Sequence, residues 1–258
     1  MCRVVSRVPA KGEPMNKELI IDYAISLTHL YGLVHKDRVV QTYNLQNEEK
    51  IDGEAINNIM KEAPKELKKN FVEIHGDYFV TESILEWDNF EEQLDHRQDK
   101  PFYIPEKEEL LKYRDETYFE VNKEYNKLLN YVTNNLFDGD EFKAEMLCED
   151  VQGVCQYEFS LNNVFDEFNR RNVNFKSDEQ VSEVMQIVMN LANNTRLGEN
   201  NGHTPNEIFE KYEKPHLRPL PKEPFNSKGD VFSFKTKKKI GRNEPCPCGS
   251  GKKCEIGV

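Results

Sequence analysis

The chain has 258 residues, 31 % of them charged and 37 % apolar, with a formal net charge of −11. That length exceeds what one small core organises and suits two modest domains with an appended tail. The surplus of carboxylates is the wrong sign for a general nucleic-acid or anionic-membrane surface. No run approaches the ~18 apolar residues of a membrane span. Residues 1–14 lack the apolar stretch of a signal peptide and read as a disordered extension, and the cysteine pattern fits a reducing cytoplasm.

In chain order, Asn16 to Val34 predicts an amphipathic helix with Leu19, Ile20, Tyr23, Leu27, Leu30 and Tyr31 on one side. His35 to Gln46 predicts a second helix. A third follows Asp52, whose carboxylate suits an N-cap ahead of Ile56, Ile59 and Met60. The period then changes. Val72-Glu73-Ile74-His75, a turn at Gly76-Asp77, and Tyr78-Phe79-Val80 predict a β-hairpin. Thr81 to Gln98 predicts a return to helix and holds the single tryptophan, Trp87. Three helices followed by a hairpin is the order of a winged helix, so residues 15–98 read as a winged-helix-like domain. Its third helix carries Asp52, Glu54 and Glu62 against Lys61, which disfavours a grip on phosphate.

Pro101-Phe102-Tyr103-Ile104-Pro105 predicts an extended segment whose aromatic side chains dock on a core. Glu106 to Phe137 predicts helix in two pieces, breaking near Asp115. Three more helices are expected over 141–157, 161–171 and 178–197. Ser177-Asp178-Glu179-Gln180 and Thr204-Pro205-Asn206-Glu207 have capping-box form, the second with proline at the first helical position. Residues 99–213 therefore read as a helical bundle. Cys148 and Cys155 share one helical face about 10 Å apart, too far for a disulfide, and read as buried small apolar groups. His203 reads as a packing residue at a helix start, and His75 as a turn residue.

From Glu213 prolines crowd together and periodicity is lost, so residues 214–240 read as a linker, with a short strand at Val231, Phe232 and Phe234. From Lys228 onward eight lysines and arginines outweigh three acids, giving about +5 against about −16 for everything before it. Such asymmetry marks an interaction tail. Residues 241–258 read G-R-N-E-P-C-P-C-G-S-G-K-K-C-E-I-G-V. Three of the six cysteines, Cys246, Cys248 and Cys254, fall within nine positions. Thiolates this dense suit a soft tetrahedral ion such as zinc, in a segment too short to have its own core.

The wording G-R-N-E-P-C-P-C-G-S-G-K-K resembles the SEC-C motif, the zinc-binding tail of the SecA translocation ATPase and of other bacterial proteins. In that family the C-x-C pair is followed, eight residues on, by Cys-Cys or Cys-His. The corresponding positions here are Gly257 and Val258, and Cys254 stands where an aromatic is usual. Cys246 and Cys248 transfer as metal ligands, with Cys254 as a third out of register. A fourth donor would come from His216, His203, a partner chain or water. The stretches 72–80, 191–197 and 202–207 also resemble a bacterial family of SEC-C-containing proteins of unknown function, in which an aromatic is expected at the position of Gly198. These resemblances imply a metal-binding adaptor that docks on a chaperone- or ribosome-like protein, with Arg242, Lys252 and Lys253 contacting the partner.

The expected fold is thus mainly α: a winged-helix-like unit with a β-hairpin, a helical bundle and a flexible zinc-type tail. The alternative function is a nucleic-acid-associated regulator using the winged-helix-like unit and the basic tail. No Ser/His/Asp or Cys/His set and no phosphate loop stands out, so an enzyme is the third reading, with a site assembled only by the fold.

Overall fold

The computed structural model describes residues 16–157 and 159–217, together with the backbone of 231–232 and 239–240. The chain divides into two units, Met1–Pro215 and His216–Val258. The first is mainly helical, with one small antiparallel sheet.

It begins with α1 (Lys17–Tyr31), capped by the Asn16 side chain, which accepts from the Leu19 N–H. The one-sided apolar face expected for α1 proves too narrow. Ala24, Ile25, Ser26 and Thr28 are buried as well as Ile20, Tyr23, Leu27 and Tyr31, so the helix is enclosed nearly all round. Thr28 is accommodated by donating its hydroxyl to the Ala24 carbonyl at 2.6 Å.

After α1 come β1 (Leu33–His35), α2 (Lys36–Gln46), α3 (Gly53–Glu62), α4 (Pro64–Lys69), β2 (Val72–His75) and β3 (Tyr78–Thr81). The strands lie in the order β1-β3-β2, antiparallel throughout, with Leu33 opposite Val80 and Val72 opposite Thr81. The hairpin and the helices α1, α2 and α3 follow the sequence expectation. Strand β1 and helix α4 do not follow it. Three residues are too few to display a period, and β1 is defined only by its pairing with β3. Asp52 caps α3 as expected, accepting from the Ala55 N–H at 2.9 Å. Asp52→Ala should lower stability by about 1 kcal/mol in denaturant titration, whereas Asp52→Asn should be near neutral.

The single helix expected over 81–98 is in fact two, α5 (Glu82–Glu86) and α6 (Phe90–Arg97). Asp88, at φ 54°, turns the chain between them. Trp87 sits at this corner, 76 % exposed, and is no part of the core. Phe102 docks as expected, edge-on against Tyr31 at 5.0 Å, with the Arg38 guanidinium over its other face. Helix α7 (Lys107–Leu110) tightens into a 3-10 turn that ends at Arg114. The break near Asp115 is present, but residues 115–122 stay non-helical, longer than the sequence suggests.

The second half packs α8 (Lys123–Asn135), α9 (Glu141–Tyr157), α10 (Leu161–Arg170) and α11 (Asp178–Asn193) around their own apolar cluster, which includes Leu128, Leu147, Val151, Phe168, Val188 and Leu191. Cys148 and Cys155 are free thiols buried within it, as their spacing predicts. Asp140 caps α9, accepting from the Lys143 N–H. Ser177 caps α11, but Gln180 completes only part of the expected box, because its side-chain oxygen accepts from Lys176 rather than from Ser177. α11 also stops at Asn193, four residues before the expected end. Helix α12 (Pro205–Ile208) begins with the full Thr204/Glu207 capping box and continues as a π-helical turn to Glu213.

Of the second unit, the described parts are residues 216–217 and β4 (Val231–Phe232) paired antiparallel with β5 (Lys239–Ile240), Val231 opposite Ile240. A short strand at Val231 is as expected, while its partner β5 had no sequence signal. The readings of residues 1–14 as an extension and of 241–258 as a metal tail lie outside the described residues. Among the described residues no helix is long and apolar enough to cross a membrane.

Candidate functional site

The loop from Asn194 to Thr204 joins α11 to α12 and gathers a knot of polar side chains. Its centre is Arg196. Its guanidinium donates to Glu120 at 2.6 Å, to the Gly202 carbonyl at 3.1 Å and to Glu207 at 3.1 Å, and lies 3.4 Å from the centre of the Tyr103 ring. Charge-assisted contacts at this burial (the Arg196 side chain is 15 % exposed) are far stronger than a surface pair.

Glu207 accepts from Arg196, from His203 and from the Thr204 N–H. Burial opposes its ionisation, but the Thr204 N–H, the Arg196 charge and His203 together hold its carboxyl below the usual carboxylate range. His203 is 5 % exposed, with Nδ1 3.1 Å from Glu207 and its ring edge-on to Tyr103 and Tyr212. This agrees with the packing role read from the sequence, and the Nε2 of the same ring has no hydrogen-bond partner among the described residues.

The loop approaches α1 closely. Gly202 has φ +81°, and a Cβ there would lie 2.9 Å from the Tyr31 ring. A Cβ at Gly198 would lie 2.8 Å from the Tyr31 carbonyl oxygen. An aromatic at that position, as the resemblance suggests for relatives, does not fit this backbone. Asn201 anchors the other side, donating to the Arg97 and Lys100 carbonyls.

Beside the knot a groove of about 1130 Å³ opens between the α5–α6 segment and the ends of α9 and α11. Arg97 lines it while being only 4 % exposed. Its guanidinium donates to the Tyr31 carbonyl and to Gln93, both at 2.6 Å, and its Nε has no partner among the described residues. Burial pushes its pKa down to about 10, opposed by Glu199. His29, also in the lining, has its two ring nitrogens 2.8 Å from the Tyr113 and Asn70 carbonyls. His75 packs on Phe90 at the hairpin end, consistent with a turn residue.

Burial pushes both the Cys148 and the Cys155 thiol up to about 12, the reverse of activation. Among the described residues no three His, Cys, Asp or Glu side chains gather closely enough to share an ion. The residues read from the sequence as the functional site, Cys246, Cys248, Cys254, Arg242, Lys252 and Lys253, all lie outside the described residues. Sequence reasoning missed the knot's long-range partners. Arg196, His203, Thr204 and Glu207 fall in stretches that stood out by resemblance, but Glu120 and Tyr103 carry no local signal, being joined to Arg196 only by the fold.

The described structure thus defines a mainly helical protein with a small three-stranded sheet and a polar knot beside an open groove. Comparison with known families adds its second feature. A family model, the SEC-C motif, matches residues 242–253, so the chain is a SEC-C motif-containing protein. The match takes in Arg242, Cys246, Cys248, Lys252 and Lys253 and stops one residue before Cys254. Neither the curated proteins nor the solved structures contain a match to the chain.

Proposed function

We propose that the chain is a zinc-binding protein-interaction adaptor whose SEC-C tail is the metal module. The observation that carries this reading is the motif match over 242–253 together with three thiols within nine residues. The donor chemistry fits: three thiolates suit zinc, leaving one tetrahedral position for His216, water or a partner chain. Bound metal would supply the folding energy of the segment. Cys246 and Cys248 hold the ion, Cys254 assists, and Arg242, Lys252 and Lys253 face an acidic partner protein, chaperone- or ribosome-like by resemblance. The helical unit offers a second surface, and two surfaces on one chain raise avidity.

Elemental analysis of protein purified without chelator tests this directly. One zinc per chain is expected, lost in the Cys246→Ser, Cys248→Ser double variant. Equal zinc content in the variant would refute the assignment.

The α-β-α-α-α-β-β order of the first seven elements, helices followed by a hairpin, supports a second reading as a nucleic-acid-associated regulator. Against it, Glu54 and Glu62 lie on α3, and Glu62 is paired with Lys17. A duplex DNA or RNA titration at low salt decides: no binding there removes this reading, and binding that weakens steeply with salt favours it.

A further inference from the structure

The groove beside the knot is built from two kinds of surface. Four of the large apolar side chains that remain exposed in the helical unit line this one feature: Phe71 at 50 %, Tyr157 at 72 %, Phe159 at 43 % and Met189 at 43 % exposure. Exposed apolar groups scattered singly need no explanation, but several lining one concavity mark a partner surface. At about 1130 Å³ the groove is also larger than an ordinary small-molecule site.

The charged lining has one sign available. Glu82, Glu86, Glu116 and Glu199 border the groove. None forms an ion pair among the described residues, whereas Glu73, Glu109, Glu120 and Glu207 do. The Arg97 guanidinium is buried on the Tyr31 carbonyl and Gln93, and both ring nitrogens of His29 lie against backbone carbonyls. An acidic ligand would meet four unpaired carboxylates, whereas lysine or arginine side chains would pair with them at the rim while neighbouring apolar residues enter the floor.

We propose that this groove binds a basic, apolar segment of a partner protein. Apolar burial supplies the affinity, and the four carboxylates supply orientation and encounter rate. The proposal goes beyond the zinc-tail reading and does not depend on metal binding.

The test uses the full chain and a short fluorescein-labelled peptide of interleaved lysine and phenylalanine, followed by anisotropy. Saturable binding that weakens with added salt is expected. Replacing Glu82, Glu86, Glu116 and Glu199 by glutamine should weaken it about thirtyfold, from four exposed pairs of ordinary strength. Phe159→Ser should weaken it about tenfold, because one aromatic anchor is removed. All five positions are partly or fully exposed, so circular dichroism and melting should remain close to the parent protein. Three results would overturn the proposal. The first is equal binding of the peptide with glutamate in place of lysine, or an unchanged affinity in the four-glutamine variant. The second is self-association of the chain that Phe159→Ser abolishes, which would give the groove to a second copy. The third is loss of peptide binding in the Cys246→Ser, Cys248→Ser variant, which would place the site in the tail, whereas binding retained there supports the groove.

Discussion

Arg196→Ala is expected to destabilise the helical unit by about 3 kcal/mol, lowering Tm by roughly 10 °C for a unit of this size. The effect is large because the substitution leaves charges behind. Glu120 and Glu207 lose their shared cation, the Gly202 carbonyl loses a donor, and the Tyr103 ring loses the group stacked on it. The pH dependence gives an independent signature. The Glu207 carboxyl is held below its ordinary range, so it contributes stability above the unfolded carboxylate value of about 4.3 and loses it as pH falls through the lower folded value. Removing Arg196 takes away one of the groups that depress it, so the acid limb of the stability curve should flatten. Thermal melts of parent and variant from acid to neutral pH measure both. Loss of less than about 1 kcal/mol at neutral pH would mean that the knot behaves as an ordinary surface pair.

Gly202→Ala should cost about 3 kcal/mol from two separate sources. A Cβ at φ +81° is strained by about 1–2 kcal/mol. The same Cβ would meet the Tyr31 ring at 2.9 Å, with Leu30 at 3.3 Å, adding an overpacking cost of about 1–3 kcal/mol. Gly76→Ala separates the two. Gly76 also has a positive φ, of +59°, but no atom lies within 4 Å of its Cβ position, so only the conformational part of about 1 kcal/mol applies. Denaturant titration of the two variants should differ by about 2 kcal/mol. Equal losses would show that the approach to Tyr31 is not tight. Because Tyr31 also donates its hydroxyl to the Tyr103 carbonyl at 2.6 Å, Gly202→Ala should disturb the same knot that Arg196 holds.

Local chemistry made much of the fold readable. Asp52, Ser177 and Thr204 cap helices because a short oxygen-bearing side chain reaches the free N–H groups of the first turn, whatever lies beyond. The hairpin at Gly76-Asp77 follows from alternating residues around a turn pair. The helix expected over 81–98 failed for an equally local reason left unread: Trp87-Asp88-Asn89 has no strong helix former, and Asp88 can enter the left-handed region. Strand β1 was beyond local reading altogether, since its three residues become a strand only when β3 offers hydrogen bonds.

The candidate sites divide along the same line. The SEC-C motif is legible because it is written in residue type and spacing, which need no fold to be recognised. The knot and the groove are not. Arg196 and Glu120 are 76 residues apart, and Phe71, Tyr157 and Glu199 come from separate elements, so no window of sequence contains either feature. By itself the sequence determined helix starts, the hairpin, the buried cysteine face and the SEC-C motif, because each depends on neighbours within a few residues. Only the tertiary structure decided that α1 is enclosed, that a loop glycine must admit the Tyr31 ring, and that carboxylates with no ion pair among the described residues border an apolar groove. Burial and charge pairing are properties of residues brought together from distant parts of the chain, and no local pattern encodes them.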